Sequence, residues 1–289
     1  MTTTETNNSI KVSLQDLIAM QSYADLQTFA KRKKVSSLIA GEQRSKRFGH
    51  GMDFAEFRHY QAGDDIRSID WRVTARSGKT HIRVYHEERE RPVFIVIDQS
   101  LSMQFGTRVQ FKSVLAAKMA AYFAWSAFKN NDRVGGEIIG IENKAIYLPR
   151  SGKRGVLQLF SGLSENYSPA VIDWDKVLPR LRQQIKPGST LCLISDFYHI
   201  SDNAKQHLQQ LAQHNDIFMV HISDPLEQMA PPADTYVVTD GNQELILDTS
   251  SKKFCEAYAK QFTDQVTELK NFCGENKIDF RSMMTNDAF

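Results

Sequence analysis

Asp98, Ser100 and Ser102 follow an apolar run at residues 93–97, spaced Asp-x-Ser-x-Ser. Asp196 closes a second apolar run, 191–194, in the same manner. Carboxylates with neutral hydroxyls form a set of hard oxygen donors. Mg²⁺ or Mn²⁺ prefers such donors, with waters completing an octahedron. An ion held only by neutral and singly charged oxygens stays electrophilic and can accept a carboxylate from another protein. That is contact chemistry rather than a reaction. The plainer alternative is that each Asp or Ser after a strand caps the next helix. The triple spacing and the second strand-ending Asp favour a site.

Enzyme chemistry fits these residues less well. Asp98 at a strand end has the position of an aspartyl nucleophile, so a Mg²⁺-dependent phosphohydrolase using Asp98 is the alternative. Phosphotransferases of the haloacid dehalogenase type carry a second Asp two residues on, where this chain has Ser100. Ser100 also lacks the flanking glycines of a nucleophile elbow. The histidines are scattered, and His199 and His221 near strand ends read as surface or packing residues. Gly78-Lys79-Thr80 imitates the end of a phosphate-binding loop, but Val73 stands where the loop needs glycine. A hairpin turn is the expectation there.

The elements that must position the acids can be read from periodicity. Residues 93–97 are apolar and rich in β-branched side chains, as in a strand buried on both faces of a parallel sheet. Helical spacing marks 109–129, 156–163, 174–185, 203–213 and 252–273. Strands are expected at 134–141, 145–148, 191–194, 217–222 and 278–281, the first two as a candidate hairpin through Glu142-Asn143-Lys144, with another hairpin at 236–239 and 244–247. Alternating strands and helices predict an α/β domain over 92–289 with a mainly parallel sheet. Right-handed crossovers then bring Asp98 and Asp196 to one edge.

Residues 1–48 read as a helix at 13–29, with Ser13 as N-cap, and a basic arm. Residues 31–47 carry seven Lys or Arg against one Glu. That run is either a solvated linker or a docking patch for an acidic partner. Residues 49–91 read as a small β appendage with strands at 54–60, 69–73 and 81–85. There Arg58, Asp64, Asp65, Arg67, Asp70 and Arg76 are candidates for a structural ion-pair network, with Trp71 as packing anchor. The same appendage is a candidate partner-binding face.

Apolar content of 41%, charged content of 24% and a net charge of +2 describe an ordinary globular chain. Nothing drives it as a whole toward nucleic acid or an anionic membrane. Cys192, Cys255 and Cys273 form no CxxC pair and read as reduced thiols. No apolar run approaches the roughly 20 residues that span a bilayer. With a polar N-terminus, the expectation is a cytoplasmic protein.

The Asp98-x-Ser100-x-Ser102 motif with the late Asp196 resembles the metal-ion-dependent adhesion site (MIDAS) of von Willebrand factor A domains. The preceding stretch narrows the likeness. Gly49-His50-Gly51-Met52-Asp53-Phe54, Arg58-x-Tyr60-x-x-Gly63-Asp64-Asp65-x-Arg67-x-Ile69-Asp70-Trp71 and Glu88-Arg89-Glu90-Arg91-Pro92 resemble the bacterial domain-of-unknown-function family 58 (DUF 58). So do Phe105-Gly106-Thr107-Arg108 and Asp132-Arg133-Val134-Gly135-Gly136. The resemblance implies a von Willebrand A-like α/β domain and a chaperone-like or adaptor protein that works beside a MoxR-type AAA+ ATPase. It implies a non-catalytic protein–protein contact through a Mg²⁺ or Mn²⁺ site formed by Asp98, Ser100, Ser102 and Asp196. Von Willebrand A sites add a Thr from the loop between the third strand and its helix. Here that loop is 151–155, with Ser151 as a substitute ligand. Alternatively Lys153 or Arg154 replaces the metal by a salt bridge or forms a partner-binding loop.

Overall fold

The computed structural model describes residues 9–25, 48–49, 53–61, 64–86, 91–143, 145–239 and 244–287. The chain divides into two units, one of residues 1–28 with 91–289 and one of residues 29–90. The basic run at 31–47 lies outside the described residues.

Helix α1 (Leu14–Ala19) starts at Ser13, whose hydroxyl accepts the Asp16 amide while Asp16 accepts the Ser13 amide. This reciprocal cap satisfies two donors at once. Helix α2 (Gln21–Asp25) follows. Leu17 is fully buried, and its carbonyl accepts the Trp125 indole N–H at 3.0 Å. These helices therefore belong to the α/β unit rather than to a separate segment 1–48.

The smaller unit holds β1 (Phe48–Gly49), β2 (Asp53–His59), α3 (Trp71–Ser77) and β3 (His81–His86). Its antiparallel sheet has the order β1-β3-β2. The strand expected at 69–73 is instead the start of a helix. The Asp70 carboxylate accepts the Arg72 and Val73 amides at 2.9 and 3.1 Å, and Gly78 ends the helix at φ +69°. An Asp N-cap and a left-handed glycine outweigh the β-branched content. Gly78 is thus a helix cap, not part of a phosphate loop.

The larger unit runs β4 (Pro92–Asp98), α4 (Lys112–Lys129), β5 (Arg133–Ile139), β6 (Ala145–Arg150), α5 (Lys153–Leu163), α6 (Trp174–Gln184), β7 (Thr190–Ser195), α7 (Asp202–Ala212) and β8 (Asp216–Ser223). It closes with α8 (Pro225–Gln228), a hairpin of β9 (Thr235–Thr239) and β10 (Glu244–Asp248), α9 (Lys252–Glu275) and β11 (Asp279–Met284). The six-stranded sheet has the order β11-β8-β7-β4-β5-β6 and is parallel except for β6. This is the expected α/β fold, a mainly parallel sheet flanked by helices. β4 is central, and Val93 to Asp98 are all buried, as its unbroken apolar run requires. Ala116, Ala117, Ala120, Ala121 and Ala124 are each at most 1% exposed and let α4 lie close to the sheet. Cys192 and Cys273 are buried free thiols. Among the described residues no helix is long and apolar enough to cross a membrane.

Candidate functional site

The parallel register puts Ile97 level with Ile194, so Asp98 leaves β4 beside Ser195 at the end of β7. Asp98 is 1% exposed. One carboxyl oxygen accepts the Ser100 amide at 2.8 Å, and the other accepts the Ser195 hydroxyl at 2.6 Å. The Ser195 oxygen in turn accepts the Phe197 amide at 2.9 Å. The Ser100 and Ser102 hydroxyls lie 3.2 Å apart. Gly140, just after β5, has φ +72°, and a Cβ there would come within 2.5 Å of the Ser100 Cβ. Only glycine lets the end of β5 close on this loop.

Asp196 carries the second carboxylate. Its oxygens take the Tyr198 amide at 3.1 Å and the Lys112 ammonium at 2.9 Å. Lys112 is 1% exposed and also reaches Glu227 at 2.5 Å. It is the first residue of α4, where the helix dipole disfavours a cation. Burial alone would lower its pKa, yet Asp196 and Glu227 outweigh burial and leave it raised. Burial likewise works to raise Asp196, but the Lys112 charge and hydrogen bond, with the Ser102 hydroxyl, hold it below its ordinary value. Asp98 has no such cation. Burial first, and the Asp196 charge second, push it up to about 7.

The four expected ligands Asp98, Ser100, Ser102 and Asp196 thus gather at one sheet edge. Lys112, Ser195 and Glu227 complete the arrangement and were not foreseen. The expectations for loop 151–155 fail. β6 runs antiparallel, and its end, Arg150, is level with Val134, whereas Asp98 is level with Ile139. At strand rise that separation is about 16 Å. Ser151, Lys153 and Arg154 therefore lie toward the opposite edge, exposed, and the ammonium on Asp196 is that of Lys112. The loop that does come to this end of the sheet is 164–173: the Ala170 carbonyl accepts the Leu101 amide at 3.3 Å, and the Ala170 amide donates to the Gly140 carbonyl at 2.7 Å.

Among the described residues of the smaller unit, one ion pair of the expected network is seen. Arg58 meets Asp64 at 2.7 Å. Asp65 caps the turn Ile66–Ser68, and Asp70 caps α3. Arg67 and Arg76 point outward, and Trp71, expected as an anchor, is 68% exposed.

A model of the family described as "protein of unknown function DUF58" matches residues 56–268. The chain belongs to the DUF58 family. Uncharacterised proteins of Mycobacterium bovis and Mycobacterium tuberculosis are each 24% identical over 259 residues, covering 87% of this chain and 81% of theirs. Two solved structures are also similar. BatB of Bacteroides thetaiotaomicron has a TM-score of 0.39 at 16% identity, covering 67% of this chain and 90% of its own. An aerotolerance-related membrane protein of Bacteroides fragilis has 0.42 at 15%, covering 67% and 91%.

In this DUF58 chain, several large exposed apolar side chains lie on the loops at the Asp98 end of the sheet. Leu101, Phe105 and Val109 follow β4, Val171 lies on the loop before α6, and Tyr198 follows β7; their exposures run from 40% to 81%. A cavity of about 620 Å³ opens beside Asp196, between Tyr198, His199, His221 and helix α9. His221 is buried there, and burial lowers its pKa to about 4, so it is neutral at physiological pH.

The donor set can be tested against a divalent cation. Among the described residues no group of three or more His, Cys, Asp or Glu side chains converges as metal ligands. The set here has only two carboxylates, completed by hydroxyls. Its charge does fit. With Asp98 ionised, three carboxylates face the single Lys112 ammonium, which leaves two negative charges uncompensated. Asp98, Ser100, Ser102 and Asp196 are the residues that would hold Mg²⁺ or Mn²⁺.

Proposed function

We propose that this DUF58 chain is a non-catalytic protein-interaction module that docks a partner on the Asp98/Asp196 edge. The observation that carries the reading is five large exposed apolar side chains on the three loops at the end of the sheet where the buried acids lie. Exposed apolar clusters mark protein contacts. A divalent cation held by those acids would offer an open coordination position to a partner carboxylate. The enzymatic alternative is less well supported, because Ser100 stands where an aspartyl phosphotransferase carries its second acid. The acids and the exposed apolar side chains also disfavour an anionic polymer such as nucleic acid. The family resemblance supports a MoxR-type AAA+ ATPase as partner, with this chain as its adaptor.

Titration calorimetry of Mg²⁺ and Mn²⁺ into wild type and Asp98→Ala, followed by capture of the ATPase with and without the ion, tests this. Saturable binding lost in the variant, and capture lost in Leu101→Glu or Tyr198→Glu, is expected. Turnover of simple phosphate esters that vanishes in Asp98→Asn would overturn the reading in favour of the phosphohydrolase.

A further inference from the structure

The smaller unit carries a surface of its own. Helix α3 exposes Trp71, Arg72, Ala75 and Arg76, which share one face at i, i+1, i+4 and i+5. Its other face is fixed to the sheet, since the Thr74 hydroxyl accepts the His81 amide at 3.0 Å and the Asp70 amide reaches the His81 carbonyl at 2.9 Å. The preceding turn adds Ile66, 65% exposed, and Arg67. Among the described residues the guanidinium groups of Arg67, Arg72 and Arg76 make no hydrogen bond or ion pair. The acids nearby are engaged: Asp64 holds Arg58, and Asp65 and Asp70 cap backbone amides. An exposed Trp among unpaired arginines, on a helix locked at its cap, is unexplained by the stability of the unit.

We propose that Trp71, Ile66, Arg67, Arg72 and Arg76 form a docking surface for an acidic segment of a partner protein that carries an apolar side chain. Guanidinium groups bind carboxylates through two parallel hydrogen bonds, and Trp and Arg dominate the energetics of protein contacts. The rigid platform lowers the entropic cost of binding. Nucleic acid fits less well, since one aromatic offers no series of stacking surfaces. A membrane fits less well too, because a helix of seven residues is only about 10 Å long and offers little area to bury.

Trp125 and Trp174 are 2% and 5% exposed, so acrylamide-quenchable fluorescence in the full chain reports Trp71. The probe is a short labelled peptide of alternating Glu and Leu, run beside a single-stranded oligonucleotide and an anionic phosphatidylserine vesicle. The expected result is that the peptide shields Trp71 and binds at least about tenfold more weakly to Trp71→Ala and to Arg72→Glu/Arg76→Glu. Salt weakens the complex, and circular dichroism is unchanged in both variants. Peptide binding that is absent, or equal in all three proteins, overturns the proposal. So does oligonucleotide or vesicle binding that depends on these residues while the peptide does not bind. Trp71 shielded from acrylamide in the free chain would assign the surface to the chain itself, and self-association lost in Trp71→Ala would assign it to a second copy; either overturns the proposal.

Discussion

Replacing Asp98 by Asn separates the charge of this residue from its shape. In the folded chain Asp98 titrates near 7 against an ordinary value of 3.8. The folded state therefore holds this proton more tightly than the unfolded state. Between those two values the folded chain binds more protons, so stability falls as pH rises from about 4 to about 7 and is level above that. At about 1.36 kcal/mol per tenfold, the loss is on the order of 4 kcal/mol. Asn cannot ionise and escapes that loss. Its carbonyl still accepts the Ser100 amide, but its NH₂ faces a Ser195 oxygen that already takes the Phe197 amide. That mismatch costs about 1 kcal/mol and does not depend on pH.

Urea unfolding in EDTA at about pH 4 and about pH 8 reads the difference. Asp98→Asn is expected to be slightly less stable than wild type in acid and more stable by a few kcal/mol in base. Adding Mg²⁺ at about pH 8 narrows the gap by stabilising wild type alone, by about 2.7 kcal/mol at one hundred times the dissociation constant. A stability difference that is the same at both pH values would refute the reasoning, because Asp98 would then be a fully compensated charge.

Three further outcomes follow from the same geometry. Lys112→Met leaves Asp196 and Glu227 facing each other without their cation, and should cost about 3–5 kcal/mol in denaturant unfolding. Gly140→Ala meets both a positive φ and the Ser100 backbone, and should cost at least about 2 kcal/mol while abolishing any Mg²⁺ heat in calorimetry. Ser195→Ala removes a hydrogen bond that lowers the Asp98 pKa, so the pH midpoint of the stability profile should move above about 7.

The sheet was legible because its strands are short unbroken apolar runs between amphipathic helices. The acids were legible because they sit at the ends of those runs. Three features resisted. Helix α3 hides in a segment with strand-like residues, and its signal is the Asp70 cap and the Gly78 stop rather than periodicity. The family resemblance alone places Ser151, Lys153 and Arg154 at the Asp98 edge, although 134–141 and 145–148 already read as a hairpin. The short connection from β5 to β6, across 140–144, is the mark of that hairpin, and it reverses the edge on which the next loop emerges. Lys112 was invisible because it stands 84 residues from Asp196, and nothing local distinguishes a lysine at a helix start that will be buried.

Asp224 shows why the edge has a functional reading only at Asp98 and Asp196. β7 ends in Ile194-Ser195-Asp196, and β8 ends in Ile222-Ser223-Asp224, the same tripeptide. Asp224 is fully buried but accepts from the Thr107 amide and hydroxyl, the Thr285 hydroxyl and the Leu226 amide. Burial works to raise its pKa, yet these donors hold it low. It ties the loop after β4 to the end of β11 and has no capacity left for a ligand. Asp196 is neutralised by an ammonium instead, and Asp98 receives donors from Ser100 and Ser195 but no cation. The three acids share a sequence pattern and differ in compensation. The least compensated one is Asp98, and a bound cation would supply what the fold does not.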